Sequence, residues 1–383
     1  MQISSERILT THTGSLPRPA DLAGTSLLDP AAPDPGEEQI RAAVAAIVRS
    51  QRDADVDVVN DGEVSKKGYS TYITERLDGF GGSAPMGEIQ DYKDFPEWAA
   101  RLSITAGADG ESLLSNPACV GPVSYRDTAA VDRDVANLKS AAEGSGATEV
   151  FMSAASPGVI SIFQQNQHYP SEDDYIAALA EAMKTEYDAI AAAGLILQLD
   201  CPDLAMGWNV SHLGGTAEGF QAAIGRRVEA INYATRDIPA EQMRLHLCWG
   251  NYEGPHHLDV PIADIIGTVF KARPAAISFE ASNPRHEHEY VVFDDVKLPD
   301  GKVLIPGVLD STTNYIEHPE LVAQRIVRYA ERVGRENVLA GSDCGFATFA
   351  QLLSVDPAIT WAKLGVMAQG ARLASQRLWS KAA

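Results

Sequence analysis

The 383-residue sequence contains only four cysteines, and they are far apart, at positions 119, 201, 248 and 344. Proteins that are stabilised by disulfides carry many more cysteines for their length, so this chain does not belong to that class. In a reducing compartment, isolated cysteines are usually buried small side chains, metal ligands or nucleophiles. We therefore expect four free thiols, each with one of these roles.

Long hydrophobic runs are also missing. The most apolar stretches, such as AIAAAGLIL and AAISF, fall well short of the roughly 20 residues that a membrane-spanning helix needs. The N-terminus, MQISSERILT, has no basic segment followed by an apolar one, which predicts that there is no signal peptide. We therefore expect a cytoplasmic protein without a membrane partner.

Positive charge is scarce as well. The 31 Lys and Arg residues stand against 52 Asp and Glu residues, which gives a formal net charge of −21. Such a surface repels phosphate backbones and anionic lipids, so neither nucleic acid nor a membrane is an expected partner. The same acidity keeps many proteins soluble, and it does not identify a substrate. A monomer and a homo-oligomer are both compatible with it.

No glycine-rich phosphate loop of the GxGxxG or GxxxxGK[ST] type follows the first predicted strand. Instead, short β-rich runs alternate with helical patterns. We predict eight strands, near residues 8–13, 55–60, 149–153, 195–199, 243–247, 275–279, 303–309 and 337–341. Strands that alternate with helices form parallel sheets, and eight of them predict an α/β fold of the (β/α)8 TIM-barrel class. A doubly wound open sheet is the alternative.

Helical periodicity is clear in several segments between these strands. Within 37–54 one stripe is apolar: Ile40, Ala43, Val44, Ile47 and Val48. Another helix is predicted to begin after Ser171 and to end at Gly194, and further helices near 217–235, 261–272 and 319–334. Residues 64–147 have a weaker pattern, and we interpret them as an insertion after the second strand, with a hairpin at about 115–126. We expect residues 1–383 to form a single domain.

The predicted strand ends are rich in polar and reactive side chains. In order they read HTGS, DGE, SAAS, QLDCPD, HLC, FEAS, LDS and GSDCG. In a TIM barrel the carboxyl ends of all strands meet at one face, where the chemistry of the fold takes place. Polar loops account for the Ser and Asp residues, but they do not explain His246, Cys248 and Cys344.

These three residues and Glu280 form a plausible metal site. His246 and Cys248 are two positions apart in a strand, so they share one face of it. Glu280 ends an apolar run, where a buried carboxylate needs a partner. An imidazole, two thiolates and a carboxylate are ligands that Zn²⁺ prefers. We predict a zinc site at His246, Cys248, Glu280 and Cys344, with Glu280 as the weak ligand.

The other histidines compete with this interpretation. His256 and His257, and likewise His286 and His288, are pairs that a second metal ion would accept as ligands. We favour a different role for His286 and His288, in a loop that lines the substrate pocket or in an ion-pair cluster with Arg285.

Zinc with two thiolate ligands is suited to binding an incoming thiol as a thiolate, which favours alkyl transfer to sulfur. Glu63 and Asp200 suit the ammonium group of an amino-acid thiol. The Ser15 hydroxyl and nearby backbone N–H groups, around Gly14, suit its carboxylate. Each of these side chains has an alternative role in orienting a ligand or capping a helix. His12 either lines the pocket or makes a structural hydrogen bond.

Taken in order, these motifs resemble the C-terminal catalytic barrel of cobalamin-independent methionine synthase. THTGSLPRP resembles the first-strand motif of that family, DGE its second-strand acid and LQLDCPDLA its fourth strand, while HLC, FE and SDCG resemble its zinc ligands. The resemblance covers most of the chain. It implies a zinc-dependent S-methyltransferase of methionine biosynthesis, which transfers a methyl group from a methyltetrahydrofolate or methylcorrinoid donor to homocysteine or a similar thiol.

The sequence departs from the family pattern in three ways. The full plant and bacterial enzymes carry a second, N-terminal barrel that helps to hold polyglutamylated folate, and we expect no room for it here. The family has Asp-x-His on the seventh strand, where the His delivers a proton to the leaving group. Here Asp310-Ser311-Thr312 keeps the Asp alone, so a catalytic role for Asp310 follows only from the resemblance. The aromatic residue that contacts the pterin corresponds to Phe163.

Two other functions stay open on the sequence. The single-barrel epoxyalkane:coenzyme M transferase is similar, and it uses comparable zinc chemistry to open an epoxide with a thiol. A rim histidine, such as His286 or His288, would then protonate the alkoxide. The second alternative is that the protein has no enzymatic activity and instead stores zinc or serves as a scaffold.

Overall fold

The computed structural model describes residues 1–22, 24–27, 32–85, 89–101, 115–211, 213–350 and 353–380. The strands in these ranges are β1 (Val58–Val59), β2 (Leu77–Pro85), β3 (Ser115–Tyr125), β4 (Glu149–Ala155), β5 (Ile196–Asp200), β6 (Met243–Leu247), β7 (Ala276–Phe279) and β8 (Val303–Pro306). The α-helices are α1 (Glu37–Asp53), α2 (Ile73–Arg76), α3 (Gln90–Asp94), α4 (Pro96–Ala99), α5 (Ala129–Ala142), α6 (Pro157–Phe163), α7 (Glu172–Ala192), α8 (Gly207–Ser211), α9 (Ala217–Ala234), α10 (Ile262–Val269), α11 (Pro319–Val333) and α12 (Pro357–Trp379). Short 3-10 helices cover Ala20–Leu22, Pro202–Leu204, Ala240–Gln242, Glu287–Asp294 and Arg335–Asn337. None of the helices within the described ranges is long and apolar enough to cross a membrane.

Six parallel strands form the main sheet, in the order β1-β4-β5-β6-β7-β8. Two further segments close this sheet into a ring. Thr10 pairs with Ala340, and the Thr10 carbonyl accepts a hydrogen bond of 3.0 Å from the Val58 N–H. On the other side, Leu304 pairs with Val338. The backbone pairing is therefore continuous around the barrel, and the prediction of a (β/α)8 TIM-barrel fold is confirmed.

The first and last predicted strands, near 8–13 and 337–341, pair through isolated bridges rather than through full ladders. Side chains replace part of the expected pairing. The Thr10 N–H donates to the Asp57 carboxylate (2.9 Å), and the Thr13 N–H donates to the Ser342 hydroxyl (3.1 Å). The second predicted strand, 55–60, is likewise reduced to Val58–Val59.

The predicted helices are observed close to their expected bounds. In α1 the whole apolar stripe from Ile40 to Val48 is buried. α7 begins after Ser171, whose hydroxyl accepts a hydrogen bond from the Asp174 N–H (3.1 Å), and Gly194 follows its end with a φ of +81°. The segments predicted near 217–235, 261–272 and 319–334 are α9, α10 and α11. α12 lies outside the predicted helices, because its buried side mixes polar with apolar residues.

The hairpin predicted at 115–126 is wrong. Residues Ser115–Tyr125 form one strand, β3, which pairs antiparallel with β2 in a separate two-stranded sheet. Glycine allows the two strands to approach each other closely. A Cβ atom at Gly79 would lie 2.7 Å from the Pro122 carbonyl oxygen. The insertion between β1 and β4 therefore contains an antiparallel pair, but its two strands are far apart along the chain.

A buried ion cluster ties this insertion to the barrel. Glu186 in α7 accepts hydrogen bonds from the hydroxyls of Tyr72 and Tyr125 (both 2.6 Å) and from the Arg76 guanidinium (3.0 Å). Arg76 also pairs with Asp134 of α5. One carboxylate thus holds α7 against residues of the insertion that precede β2 and that end β3.

Replacing Glu186 with Leu should lower the stability of the protein strongly. Two hydroxyls and a guanidinium would lose their shared acceptor in the interior, and breaking a buried ion pair costs about 3–5 kcal/mol. Urea unfolding followed by circular dichroism measures the change. The matched control is Glu181→Leu on the same helix, because exposed Glu181 is 4.0 Å from Arg236 and should contribute about 1 kcal/mol or less. Equal losses in the two variants would contradict this assignment.

Candidate metal centre and substrate cavity

Strand β6 places an imidazole with two free nitrogens in the barrel interior. His246 is 3% exposed, and neither ring nitrogen makes a hydrogen bond of normal geometry to a described residue, although the backbone of Ser278 is near. Burial, together with the charge of Arg244, lowers the pKa of His246 to about 3. The ring is therefore neutral at physiological pH, and it presents a lone pair that a metal ion can use.

Two thiols lie beside this ring. Cys248 follows β6, Cys344 follows the segment that closes the barrel, and their sulfur atoms are 3.6 Å apart. The ligand atoms of His246, Cys248 and Cys344 all lie within 4.8 Å of one another. Two sulfurs bonded at about 2.3 Å to one tetrahedral ion would be roughly 3.8 Å apart, so the spacing fits a zinc ion. All four cysteines are free.

Glu280 is close to this group, but its carboxylate is hydrogen-bonded to other residues. One carboxylate oxygen accepts a hydrogen bond from the Trp249 N–H and the other from the Asn283 amide, both at 2.8 Å. Glu280 is not among the residues whose ligand atoms lie within 4.8 Å of one another. Hydrogen bonding to the Cys344 thiol, burial and the nearby Glu280 carboxylate raise the pKa of Cys248. A divalent cation would oppose these effects and favour the thiolate.

A cavity of about 570 Å³ has these three donors in its wall. Its polar lining residues include Ser15, Glu63 and Asp200, together with Asn251, Ser311 and Thr348. Its aromatic lining residues include Tyr69, Phe163 and Phe349, which pack against one another, together with Tyr92 and Tyr252. We call Glu63 and Asp200 the acidic wall, and Tyr69, Phe163 and Phe349 the aromatic wall.

The acidic wall is built from Glu63 and Asp200. Asp200 accepts a hydrogen bond of 2.7 Å from Gln198, which accepts one of 2.7 Å from Arg244. One oxygen of Glu63 is buried and has no partner among the described residues. Burial and the proximity of Glu63 raise the pKa of Asp200 well above its usual range. A cation bound between the two carboxylates would relieve this repulsion.

Two glycines make room for polar residues of the cavity. Gly14 has a φ of +156°, and a Cβ atom there would overlap Glu63 Oε1. A Cβ atom at Gly345 would overlap the Ser15 hydroxyl oxygen. Gly14 is thus required by the position of Glu63, whereas the sequence suggested a contribution from its backbone to substrate binding.

His12 does not line the cavity. Its Nε2 atom pairs with Gln51 Oε1 at 2.8 Å, and its ring packs edge-on against Phe151. Burial lowers its pKa to about 3. Phe163, by contrast, does line the cavity, where its ring centroid lies 5.7 Å from that of Tyr69 and 6.3 Å from that of Phe349.

Asp310 is turned into its own loop rather than towards the cavity. One carboxylate oxygen accepts hydrogen bonds from the N–H and the hydroxyl of Thr312, and the other accepts one from the Thr313 hydroxyl, all at 2.8 Å. The neighbouring Ser311 does line the cavity, and its hydroxyl donates to Asn251 Oδ1 (2.9 Å).

His286 belongs to a buried ion cluster behind the metal donors. Its Nδ1 atom lies 2.7 Å from Glu289 and its Nε2 atom 3.1 Å from Asp259, which also binds His256 at 2.9 Å. His288 is exposed. Neither His286 nor His288 lines the cavity. Of the two roles considered for His286, the structure places it in an ion cluster, with carboxylates as its partners.

The insertion contributes to the cavity in a way that the sequence did not indicate. Ile89, Tyr92 and Asn116 are among the lining residues. Asp91 accepts hydrogen bonds from the Tyr252 hydroxyl (2.6 Å) and the His256 N–H (3.0 Å), so α3 is attached to the loop that follows Cys248. No periodicity marks this segment, and only the three-dimensional structure reveals the contact.

Comparison with known proteins identifies the family. The sequence model of "Cobalamin-independent synthase, Catalytic domain" matches residues 158–372, which is more than half of the chain. The chain belongs to the cobalamin-independent synthase family. It is an enzyme, a methyltransferase of that family, and the resemblance seen in the sequence is confirmed.

The relatives of this family member extend over nearly its whole length. A methionine synthase of Saccharolobus solfataricus is 25% identical over 378 residues, covering 97% of this chain and 96% of the relative. One of Thermococcus kodakarensis is 23% identical over 373 residues, covering 96% and 94%.

Solved structures show the same fold. A B12-independent methionine synthase from Shewanella sp. W3-18-1, in complex with selenomethionine, matches with a TM-score of 0.73 and 20% identity, over 97% of this chain and 99% of that chain. A putative vitamin-B12 independent methionine synthase from Listeria monocytogenes gives a TM-score of 0.64 and 18% identity, over 98% and 100%.

The ion cluster around His286 predicts how stability depends on pH. Burial opposes its charge, but hydrogen bonds to Asp259 and Glu289 raise the pKa of His286 to about 10. Because this exceeds the ordinary value of about 6.5, the stability it contributes is complete below pH 6.5 and is lost as the pH rises towards 10. Thermal unfolding across this range should show the decline in the wild type and a smaller one in His286→Gln. The control His288→Gln, at an exposed site, should follow the wild type, and parallel curves for all three proteins would refute the expectation.

Proposed function

We propose that this methyltransferase methylates the sulfur of homocysteine or a similar amino-acid thiol, that it depends on zinc, and that residues 1–383 act as one catalytic domain. The observation that carries the proposal is the cluster of His246, Cys248 and Cys344 in the wall of a cavity that also has an acidic wall. The two curated relatives described above, both named methionine synthase, support it. So does the bound selenomethionine of the Shewanella structure, because it is an analogue of methionine.

His246, Cys248 and Cys344 would hold the zinc ion. When bound, the ion supplies a positive charge that favours the thiolate form of an incoming thiol at neutral pH. Glu280 remains our proposed fourth, weak ligand. Its hydrogen bonds to Trp249 and Asn283 compete with that role, which suits a ligand that gives way to the substrate.

Glu63 and Asp200 would bind the ammonium group of the acceptor. Both carboxylates are buried and line the cavity, and neither forms an ion pair with a described residue, so a bound ammonium group would neutralise them. Ser15 lines the same cavity, and its hydroxyl would orient the carboxylate of the amino acid.

The aromatic wall of the cavity suits the methyl donor. Tyr69, Phe163 and Phe349 line the cavity and pack against one another, and the ring system of methyltetrahydrofolate or of a methylcorrinoid would pack against them. Epoxide opening is not favoured. The relatives are named as methionine synthases, and the rim histidines that would serve that reaction, His286 and His288, do not line the cavity.

The zinc assignment predicts that Cys344→Ser loses its metal. A hydroxyl is a much poorer zinc ligand than a thiolate, so we expect roughly one zinc per wild-type chain and about one tenth of that or less in the variant. Inductively coupled plasma mass spectrometry of the purified proteins measures the content. Cys201→Ser is the control, because the Cys201 thiol is buried outside the cavity, 3.5 Å from the Leu199 carbonyl. Equal zinc contents in the two variants would rule out Cys344 as a ligand.

The acceptor assignment predicts that the enzyme needs the amino group of its substrate. We expect 4-mercaptobutanoate, which is homocysteine without that group, to react with a kcat/KM at least about 100-fold below that of homocysteine. Glu63→Gln should lower kcat/KM for homocysteine by a similar factor, mainly through KM, and should change little for the analogue. Mass spectrometry of the thioether product, with methyltetrahydrofolate and methylcobalamin as donors, provides the assay. If no donor yields methionine, the proposed function fails.

A further inference from the structure

Methyl transfer from a nitrogen atom leaves a strongly basic group that has to receive a proton. The family pattern supplies a histidine for this on the seventh strand, but here Thr312 occupies its position and bonds to Asp310 within the same loop. The histidines that the sequence offers instead, His286 and His288, do not line the cavity. The residue of this chain that donates the proton is therefore unassigned. The inference that follows rests on the function proposed above.

Phenols are the most acidic hydroxyls available, and three of them line the cavity: Tyr69, Tyr92 and Tyr252. The Tyr252 hydroxyl already donates a hydrogen bond of 2.6 Å to Asp91. Asp91, which belongs to the insertion, is also the charged residue that acts electrostatically on Tyr92. The Tyr69 hydroxyl makes no hydrogen bond to another described residue, and Tyr69 lines the same cavity as Cys248 and Cys344.

The backbone on both sides of Tyr69 is held in place. Gly68 pairs antiparallel with Phe349, the Tyr69 N–H donates to the Thr348 carbonyl (3.3 Å), and the Lys67 carbonyl accepts from Ala350 (3.0 Å). A Cβ atom at Gly68 would lie 2.8 Å from the Phe349 ring, so this pairing requires glycine. The loop after β1 is thus fastened to the loop that carries Cys344.

The ring of Tyr69 is fixed as well. It packs edge-on against Phe163 at 5.7 Å and against Phe349 at 5.8 Å between centroids. These contacts hold Tyr69 in the wall of the same cavity that Cys248 and Cys344 line. A methyl donor packed against the aromatic residues, as proposed above, would therefore lie beside the Tyr69 hydroxyl.

We propose that the Tyr69 hydroxyl donates a hydrogen bond, and then its proton, to the leaving group of the methyl donor. The overall reaction is R–SH + CH3–NR′2 → R–S–CH3 + H–NR′2. As the sulfur–carbon bond forms, the carbon–nitrogen bond breaks and its electron pair stays on nitrogen, which takes the Tyr69 proton. The phenolate then regains a proton from solvent, which has received the one released by the thiol.

A proton transfer of this kind contributes typically about 100-fold or more to the rate of a reaction.

The test is Tyr69→Phe, which removes the hydroxyl and keeps the ring contacts. With methyltetrahydrofolate, whose leaving nitrogen needs a proton, we expect kcat to fall about 100-fold while KM for homocysteine changes by about 2-fold or less. With methylcobalamin, whose cobalt leaves with the electron pair and needs no proton, wild type and variant should have equal rates. Tyr233→Phe is the control, because the exposed Tyr233 hydroxyl donates to Glu181 on α7, and it should match the wild type with both donors.

The outcomes separate this proposal from the function on which it rests. Equal loss with both donors would show a structural role for Tyr69 and overturn the proposal, as would no loss with methyltetrahydrofolate. A wild type that uses methylcobalamin alone would also overturn it, while leaving thiol methylation intact. A wild type that is inactive with both donors would remove the proposed function and the role of Tyr69 together. Zinc content, measured in parallel, shows whether the variant retains its metal group.

Discussion

The close approach of two buried thiols is the constraint on which the rest of this structure depends. Cys248 and Cys344 stand 96 positions apart in the chain, and their sulfur atoms come within 3.6 Å because the last strand segment closes the barrel. Two thiolates at this distance repel each other, so the arrangement is stable only with protons or a cation between them. The imidazole of His246 beside them has no hydrogen-bond partner of normal geometry among the described residues, so it favours the cation that we propose.

The loops around this group are joined to one another by buried hydrogen bonds. Asp343, next to Cys344, accepts hydrogen bonds from the N–H groups of Ala281, Ser282 and Asn283 at 2.8 to 2.9 Å, which connects the Cys344 loop to the loop that follows Glu280. On the far side, Asp91 connects the insertion to the loop after β6. Consequently the donor atoms are held by the rigid end of the barrel, while the insertion completes the mouth of the cavity.

Periodicity and spacing were enough to predict the barrel, the stripe of α1 and the end of β6, because these features depend on neighbouring residues. Side-chain orientation was not accessible in the same way. Glu280 faces Trp249 and Asn283, Asp310 faces its own loop, and His12 faces Gln51, each because a nearby hydrogen-bond donor or acceptor competes for it. The hairpin at 115–126 was misplaced because Gly121 and Pro122, which are typical of turns, lie here within a strand that contacts Gly79. Tyr69 has no motif at all, and its role emerges only from the pairing of two distant loops.

The spacing of the two sulfur atoms also makes the enzyme vulnerable to oxidation. A shift of little more than 1.5 Å would bring the pair to the length of a disulfide bond, about 2.05 Å. Once cross-linked, neither sulfur would have a lone pair of thiolate character to offer, and the centre would be inactivated without any unfolding. A zinc ion held as proposed above would keep the sulfurs apart and their lone pairs coordinated. Loss of metal and loss of reducing conditions would therefore reinforce each other in inactivating the protein.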